Sequence, residues 1–162
     1  MDVTTFELDA ARLLIDNRWA ALATFGEDGP AASMAAYAPV SNQSSLLLFL
    51  SGLSAHTRNL ITEPRVALVI AETDPGVGDP QTLARLSIKG TAQPVERTAP
   101  GFEHLWQAYV SRLPDAAPRR ALGDFLLFRV VIGEVRYVGG FARAGTIPAE
   151  RLAAAVRELG DS

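Results

Sequence analysis

The chain has 162 residues, a formal net charge of −3 and no cysteine. Its length fits one domain with a buried core, and its high hydrophobic content excludes global disorder. The absence of cysteine excludes disulfides, thiolate metal sites and cysteine nucleophiles. A weakly acidic chain with scattered basic residues is unlike a nucleic-acid-binding domain, which carries a basic stripe. Neither a bilayer-spanning apolar run nor a basic-then-apolar leader occurs, so we expect a cytoplasmic protein without a membrane partner.

The first half of the chain predicts two helices and four strands. In order, these are a helix from Thr4 or Thr5 to about residue 17, strands at 19–25, 31–40 and 46–50, a helix at 54–62 and a strand at 65–71. The stretch GEDGP has the composition of a turn, so the first two strands should form a hairpin. The position before Pro64 disfavours helical backbone and ends the second helix.

The second half predicts further strands, two helices and two exposed loops. In order, these are a loop at 74–80, a strand at 83–95, a helix at 100–113, a loop at 116–123, two strand runs within 125–138 and a helix at 148–159. Leu86 and Ile88 alternate with polar residues, which is typical of a half-buried strand, and Gly90 is a candidate bulge. A break near Gly133 is expected between the two strand runs within 125–138.

The predicted elements add up to six or seven strands joined mostly by short turns, with flanking helices. Such connections favour an antiparallel sheet, and this number of strands can close into a barrel. A Rossmann fold would need alternating strands and helices and a GxGxxG turn, which the sequence lacks. The sequence therefore predicts a mostly-β (α+β) fold in a single domain covering residues 1–162.

Polar residues are concentrated where the strand at 46–50 is followed by the helix at 54–62. They are Ser51, Ser54, His56, Thr57, Arg58 and Asn59. The N–H groups at a helix start lack partners and carry partial positive charge, and an arginine adds charge-assisted hydrogen bonds, so this segment suits a phosphate. An alternative remains that Ser54 only caps the helix and Arg58 is solvated. His56 is either a proton donor to the phosphate or a partly exposed helix residue.

Four motifs together resemble those of one known family. They are HTRNL at 56–60, PRVALVIAE at 64–72, DPQTLARLSIKGTA at 79–92 and VGGFARA at 138–144. The chain resembles the FMN-binding split β-barrel of the pyridoxamine 5′-phosphate oxidase-like superfamily, and more narrowly its haem-utilisation, or HugZ-like, branch. The resemblance covers nearly the whole chain and implies a six- to seven-stranded antiparallel split β-barrel.

The resemblance also implies a homodimer with two FMN sites at the subunit interface. It assigns the phosphate to the helix start, and thus to Ser51, Ser54, Thr57, Arg58 and Asn59. It places one strand against the flavin ring, through Ala35, Ala36 and Tyr37. A polar group on another strand, Arg85, would contact a ring oxygen or N1. A turn from the partner subunit would close the site, through Gly140, Phe141 and Arg143.

Two departures from the family pattern limit what the resemblance implies. Residues 35–37 lack the positive charges that pyridoxamine phosphate oxidases place on this strand, which disfavours recognition of that substrate's phosphate. Haem-degrading relatives use a histidine near the C-terminus as an iron ligand. No histidine follows His104 in this chain, so that ligand is missing.

Two functions remain open at this point. The first is an FMN-dependent oxidoreductase acting on an unknown small molecule, in which the cofactor carries out the chemistry and no catalytic residue is assigned. The alternative is a non-catalytic flavin- or haem-binding carrier or sensor, which the lack of an obvious acid–base residue favours. Reduction of bound flavin by NADH or NADPH, followed by reoxidation, would distinguish the two.

Overall fold

A computed structural model describes residues 2–40 and 43–160. The α-helices are α1 (Thr5–Asp16), α2 (Ala55–Thr62), α3 (Phe102–Arg112) and α4 (Ala149–Gly160). The strands are β1 (Trp19–Gly26), β2 (Gly29–Ala36), β3 (Ala38–Val40), β4 (Ser45–Ser51), β5 (Arg65–Ala71), β6 (Arg85–Val95), β7 (Phe125–Val138) and β8 (Ala144–Ile147). Two 3₁₀ helices cover Pro80–Thr82 and Pro114–Ala121. Across the described ranges, no helix has both the length and the apolar character needed to cross a membrane.

The eight strands form one sheet in which each neighbouring pair is antiparallel. Their order is β2-β1-β5-β6-β7-β4-β3, and β8 pairs with β7. The two ends of this order approach each other, because β2 also contacts β4. The sheet therefore curls as a split barrel does. The predicted antiparallel, mostly-β fold is confirmed, with eight strands where six or seven were expected.

Strand β4 is buried on both of its faces, and this explains its continuous apolar sequence. Leu46, Leu48 and Leu50 enter the main core, which α1 and α4 cover. Leu47 and Phe49 enter a second cluster beneath α3. Strand β1, in contrast, buries every second residue and leaves the intervening side chains exposed. One face of the sheet is thus covered by α1 and α4, whereas the other face is covered by α3 at β4 and open at β1.

The predicted strand at 31–40 is divided into β2 and β3, because Tyr37 leaves the strand ladder. Its backbone N–H donates to the carbonyl of Arg18 at 3.1 Å, and its buried phenol donates to the carbonyl of Leu14 at 2.8 Å. Burial raises the pKa of Tyr37, so the phenol remains a protonated donor. The side chain therefore links the end of the hairpin to α1.

Three further features differ from, or extend, the sequence prediction. Strand β7 runs unbroken through Gly133, where a break was expected. The register between β6 and β7 shifts between Lys89 and Gly90, and this leaves Gly133 without a partner on β6. A bulge therefore lies beside Gly90, but its extra residue is Gly133 on β7 and not Gly90 itself. The stretch at 116–123, expected to be a loop, is largely 3₁₀ helix, and the short strand β8 was not predicted.

Candidate functional site

The start of α2 is open. Ser54 has the extended backbone of an N-cap, yet its side chain makes no capping hydrogen bond. Its own N–H donates to the carbonyl of Ser51 at 3.1 Å. The first backbone N–H groups of α2 have no acceptor within the helix. This end of the helix can therefore accept an anion, as the sequence predicts.

Thr57, in the first turn of α2, is fully buried. Its Oγ1 has no hydrogen-bond partner among the described residues. Burying a hydroxyl without a partner costs roughly 1–3 kcal/mol, so such atoms are rare and usually have a reason. Because Thr57 belongs to the first turn of α2, its unpartnered hydroxyl favours a position that a bound ligand completes.

Ser51 is tied to a carboxylate that the sequence prediction did not include. Its hydroxyl donates to Oδ2 of Asp124 at 2.6 Å, and it accepts from the N–H of Leu53 at 3.2 Å. The backbone is also joined here, because the N–H of Gly52 donates to the carbonyl of Asp124 at 2.7 Å. The hydroxyl proton of Ser51 is thus committed to Asp124, and a negative charge borders the helix start.

His56 forms a pair with a residue of β2. The Oγ of Ser33 lies 2.9 Å from Nδ1 of His56. Burial lowers the pKa of His56, so the imidazole is neutral at pH 7. With Ser33 as the donor, the neutral ring keeps its proton on Nε2 and can donate it to a ligand. Ser33 was missed from the sequence, and only the pairing of β2 with β1 would have indicated which way it points.

Arg58 and Asn59 extend from α2 toward the turn between β1 and β2. Nη1 of Arg58 donates to the carbonyl of Leu53 at 2.6 Å, and Nδ2 of Asn59 donates to Oγ1 of Thr24 at 3.0 Å. Both residues line a cleft of about 540 Å³ along the later part of α2, which also contains Arg65 and the carboxylates of Glu27 and Glu63. Arg58 is exposed and charged next to the helix start, whereas Asn59 is engaged in holding α2 against β1.

The three residues predicted to face a flavin ring differ in their placement. The side chains of Ala35 and Tyr37 are buried, and the phenol of Tyr37 bonds to α1 as described above. Ala36 is half-buried and lines a surface cavity with Trp19. At this end of β2, Ala36 is therefore the one side chain of the three that is open to a ligand.

Arg85 and the turn between β7 and β8 come together in the same chain. Nη1 of Arg85 donates to the carbonyls of Gln81 and Leu83 at 2.9 and 3.2 Å, so the guanidinium folds onto the preceding loop. That loop borders the turn, since a Cβ on Gly140 would lie 3.5 Å from the carbonyl of Thr82. Arg85 pairs with Ala71, the last residue of β5, whereas α2 is followed by Arg65, the first residue of β5. Arg85 and the end of α2 therefore lie at opposite ends of that strand.

The turn itself presents an apolar side chain to solvent. Phe141 is 91% exposed, between Gly140 at a φ of +109° and Ala142 at +59°. Arg143 anchors the turn by an ion pair with Asp9 at 3.2 Å. The structure brings the α2 residues into one group and Arg85 with this turn into another. Among the described residues, no cluster of three or more His, Asp or Glu side chains is arranged to hold a metal ion.

Comparison with known proteins agrees with this architecture. The family model for pyridoxamine 5′-phosphate oxidase matches residues 8–139. The heme oxygenase HutZ of Vibrio cholerae is 27% identical over 122 residues, which cover 72% of this chain and 67% of HutZ. A heme binding protein from Mycobacterium smegmatis superposes with a TM-score of 0.81 at 24% identity, over 95% of this chain and 62% of that one. This chain therefore spans less than two thirds of the mycobacterial protein.

A FAD-binding protein from Mesorhizobium loti has the same fold, with a TM-score of 0.64 at 20% identity over 79% of this chain and 88% of that one. The match to HutZ confirms the resemblance to the haem-utilisation branch. Since the family model covers most of the chain, including the helix start and all strands but β8, the chain belongs to the pyridoxamine 5′-phosphate oxidase family.

Proposed function

We propose that this protein binds FMN, with the phosphate at the start of α2, and acts as an FMN-dependent oxidoreductase on a small molecule. The observation that carries the proposal is the open helix start next to the buried, unpartnered hydroxyl of Thr57. Membership of the pyridoxamine 5′-phosphate oxidase family supports a flavin as the ligand. The described residues fit the phosphate of this cofactor, because they offer backbone N–H groups, a hydroxyl and the charge of Arg58.

Each part of the site has a distinct role in this proposal. Arg58 supplies the positive charge, and Thr57 and Ser54 supply hydroxyls. His56 contributes a neutral N–H, held in orientation by Ser33. Ser51 supports Leu53 and Asp124 rather than the ligand, as long as its bond to the carboxylate is kept. When bound, FMN supplies hydride and electron transfer, while the protein binds and orients it.

Replacing Arg58 with alanine is expected to weaken FMN binding by about 1.5–3 kcal/mol, or roughly 10- to 150-fold in Kd. The reason is the loss of a charged hydrogen-bond donor at the phosphate. The fold should persist because Arg58 is exposed and bonds only to the carbonyl of Leu53. Titration of FMN followed by flavin fluorescence measures the effect. Arg157→Ala, an exposed arginine on α4, is the control and should bind FMN as the natural protein does.

We further propose that two copies of the chain associate through the open face of β1, β2 and β5. Phe25, Met34 and Val69 are exposed there by 40–49% of their surface. Between them lie small side chains that leave the face flat, namely Ala21, Ala23, Ala32 and Ala67. A contiguous apolar patch of this kind is typical of a protein interface.

Val69→Lys is expected to convert the dimer to a monomer, because it places a charge in the centre of this face. Light scattering coupled to gel filtration measures the mass. Val77→Lys is the matched control, since Val77 is 76% exposed in the loop before β6 and lies away from the face. A Val69→Lys protein that keeps the dimeric mass would reject this interface.

Haem binding is the second candidate, and the 27% identity to a heme oxygenase over 72% of this chain favours it, with or without turnover. Within these 162 residues, no histidine follows His104. A Soret band on addition of haemin, together with a failure to retain FMN, would favour this second function.

A further inference from the structure

The loop that joins β4 to α2 is short, with only Gly52 and Leu53 between Ser51 and Ser54. The N–H of Ser54 donates to the carbonyl of Ser51 across this loop at 3.1 Å. Nη1 of Arg58 donates to the carbonyl of Leu53 at 2.6 Å. The loop therefore determines both where the helix begins and where the guanidinium of Arg58 lies.

Asp124, the residue before β7, holds this loop from outside. Its Oδ2 accepts from the hydroxyl of Ser51 at 2.6 Å, and its carbonyl accepts from the N–H of Gly52 at 2.7 Å. The oxygen of Ser51 in turn accepts from the N–H of Leu53 at 3.2 Å. A chain of hydrogen bonds thus runs from the carboxylate of Asp124 through the loop to Leu53, whose carbonyl holds Arg58.

The backbone contact at Gly52 is unusually close. A Cβ there would lie 2.9 Å from the carbonyl oxygen of Asp124, nearer than side-chain carbon atoms ordinarily come. Glycine therefore lets the loop approach the segment before β7 to hydrogen-bonding distance. The two segments are also neighbours in the sheet, because Ser51 pairs with Phe125. The contacts of Asp124 extend this strand pairing into the loop.

Asp124 is itself fixed from the other side. Nη2 of Arg97 donates to the carbonyls of Leu122 and Phe125 at 3.3 Å each, and these two residues flank Asp124. The N–H of Phe125 donates to the carbonyl of Leu122 at 3.4 Å. Among the ion pairs of residues 2–40 and 43–160, none includes Asp124. A group held in this way can keep a binding loop in its bound form before the ligand arrives.

From these contacts we propose that Asp124 is a positioning residue of the anion site at the start of α2. It keeps the loop at 51–54 in the form in which the helix N–H groups and Arg58 face the phosphate, without contacting the phosphate itself. The inference rests on the proposed phosphate site. Because the charge of Asp124 repels an anion, loss of its hydrogen bond and loss of its charge should change FMN affinity in opposite directions.

Two substitutions at Asp124 separate its hydrogen bond from its charge, and titration of FMN followed by flavin fluorescence measures both. Asp124→Ala removes the acceptor for Ser51, so the Kd for FMN should rise about tenfold, the loss of one charged hydrogen bond. Asp124→Asn keeps an acceptor and removes only the charge, so it should bind FMN at least as tightly as the natural protein. Asp115→Ala removes a carboxylate from an exposed position of the second 3₁₀ helix and should change nothing.

A double variant tests the route from Asp124 to the anion. Arg58→Ala already removes the guanidinium that the loop positions, so adding Asp124→Ala should raise the Kd by less than Asp124→Ala does alone. Ser51→Ala breaks the same hydrogen bond from its other end. It should weaken FMN binding to a similar extent, and it provides the test if Asp124→Ala does not fold.

The outcomes separate this inference from the phosphate site on which it rests. Unchanged or tighter binding in Asp124→Ala or Ser51→Ala would overturn the positioning role and leave the phosphate site in place. The same holds for a Kd in Asp124→Asn that rises as much as in Asp124→Ala, and for fully additive effects of Asp124→Ala and Arg58→Ala. A natural protein that binds no FMN would instead reject the phosphate site, and the positioning role with it.

Discussion

Replacing Gly90 with alanine is expected to lower the free energy of unfolding by about 3 kcal/mol. A Cβ at this position would lie 2.4 Å from the carbonyl oxygen of Val131 and 2.9 Å from a methyl of Val130. The nearer atom belongs to the backbone of β7, which cannot move aside as a flexible side chain can. The bulge between β6 and β7 therefore requires glycine here for close approach of the two strands.

Urea denaturation measures this effect, and Gly133→Ala is the matched control. Gly133 lies across the same bulge, but its Cβ would meet only the carbonyl oxygen of Lys89 at 3.6 Å, an ordinary contact. The control should lose far less stability than Gly90→Ala. Equal losses in the two variants would reject the close approach at Gly90 as the cause, because the effect of Gly→Ala on the unfolded chain is to stabilise the folded protein.

The second large effect is expected for Glu7→Gln, which should lower the free energy of unfolding by about 2–3 kcal/mol at pH 7. Glu7 accepts two hydrogen bonds from Arg151 at 2.7 Å each, which join α1 to α4. It also accepts from the N–H and hydroxyl of Thr4 at 2.7 and 2.9 Å, completing the capping box of α1. Glutamine keeps the shape but not the charge, and it removes the carboxylate that accepts both of these hydrogen bonds from Arg151.

The ion pair between Glu7 and Arg151 also predicts how the stability of the fold depends on pH. The hydrogen bonds from Arg151, together with those from Thr4, lower the pKa of Glu7 from 4.5 to about 2. Because the folded state holds this proton less tightly than the unfolded state, the stabilisation is complete above about pH 4.5 and is lost as the pH falls toward 2. The difference between the natural protein and Glu7→Gln should therefore shrink over that range. Glu103→Gln, which breaks an exposed pair with Arg120, should change stability little at any pH.

Local signals in the sequence were sufficient for most of the fold. The predicted bounds of α2 agree to within one residue, because a polar start and Pro64 mark its two ends. The departure of Tyr37 from the strand ladder could not be predicted from such local signals. Its position depends on hydrogen bonds to Arg18 and Leu14, which are fixed only when the hairpin packs against α1. The short strand β8 is likewise defined by pairing with β7 and carries little signal of its own.

The same distinction between local signals and tertiary contacts applies to the candidate site. The residues at the start of α2 could be found because they are contiguous in the sequence. The pairing of His56 with Ser33 spans 23 positions, and that of Ser51 with Asp124 spans 73. Both depend on which strands become neighbours, so sequence reasoning identified one member of each pair and missed the other. Arg85, in contrast, bonds to carbonyls only four and two positions before it, so its fold onto its own loop is a local feature that the sequence pattern did not indicate.

The most direct test of the central claim is the visible spectrum of the purified protein after incubation with FMN and passage through a gel-filtration column. We expect flavin absorption to elute with the protein, and to be lost or greatly reduced in Arg58→Ala but not in Arg157→Ala. Complete separation of FMN from the natural protein would contradict the assignment of the α2 start as a flavin phosphate site. A Soret band in a parallel sample with haemin would then identify haem as the ligand.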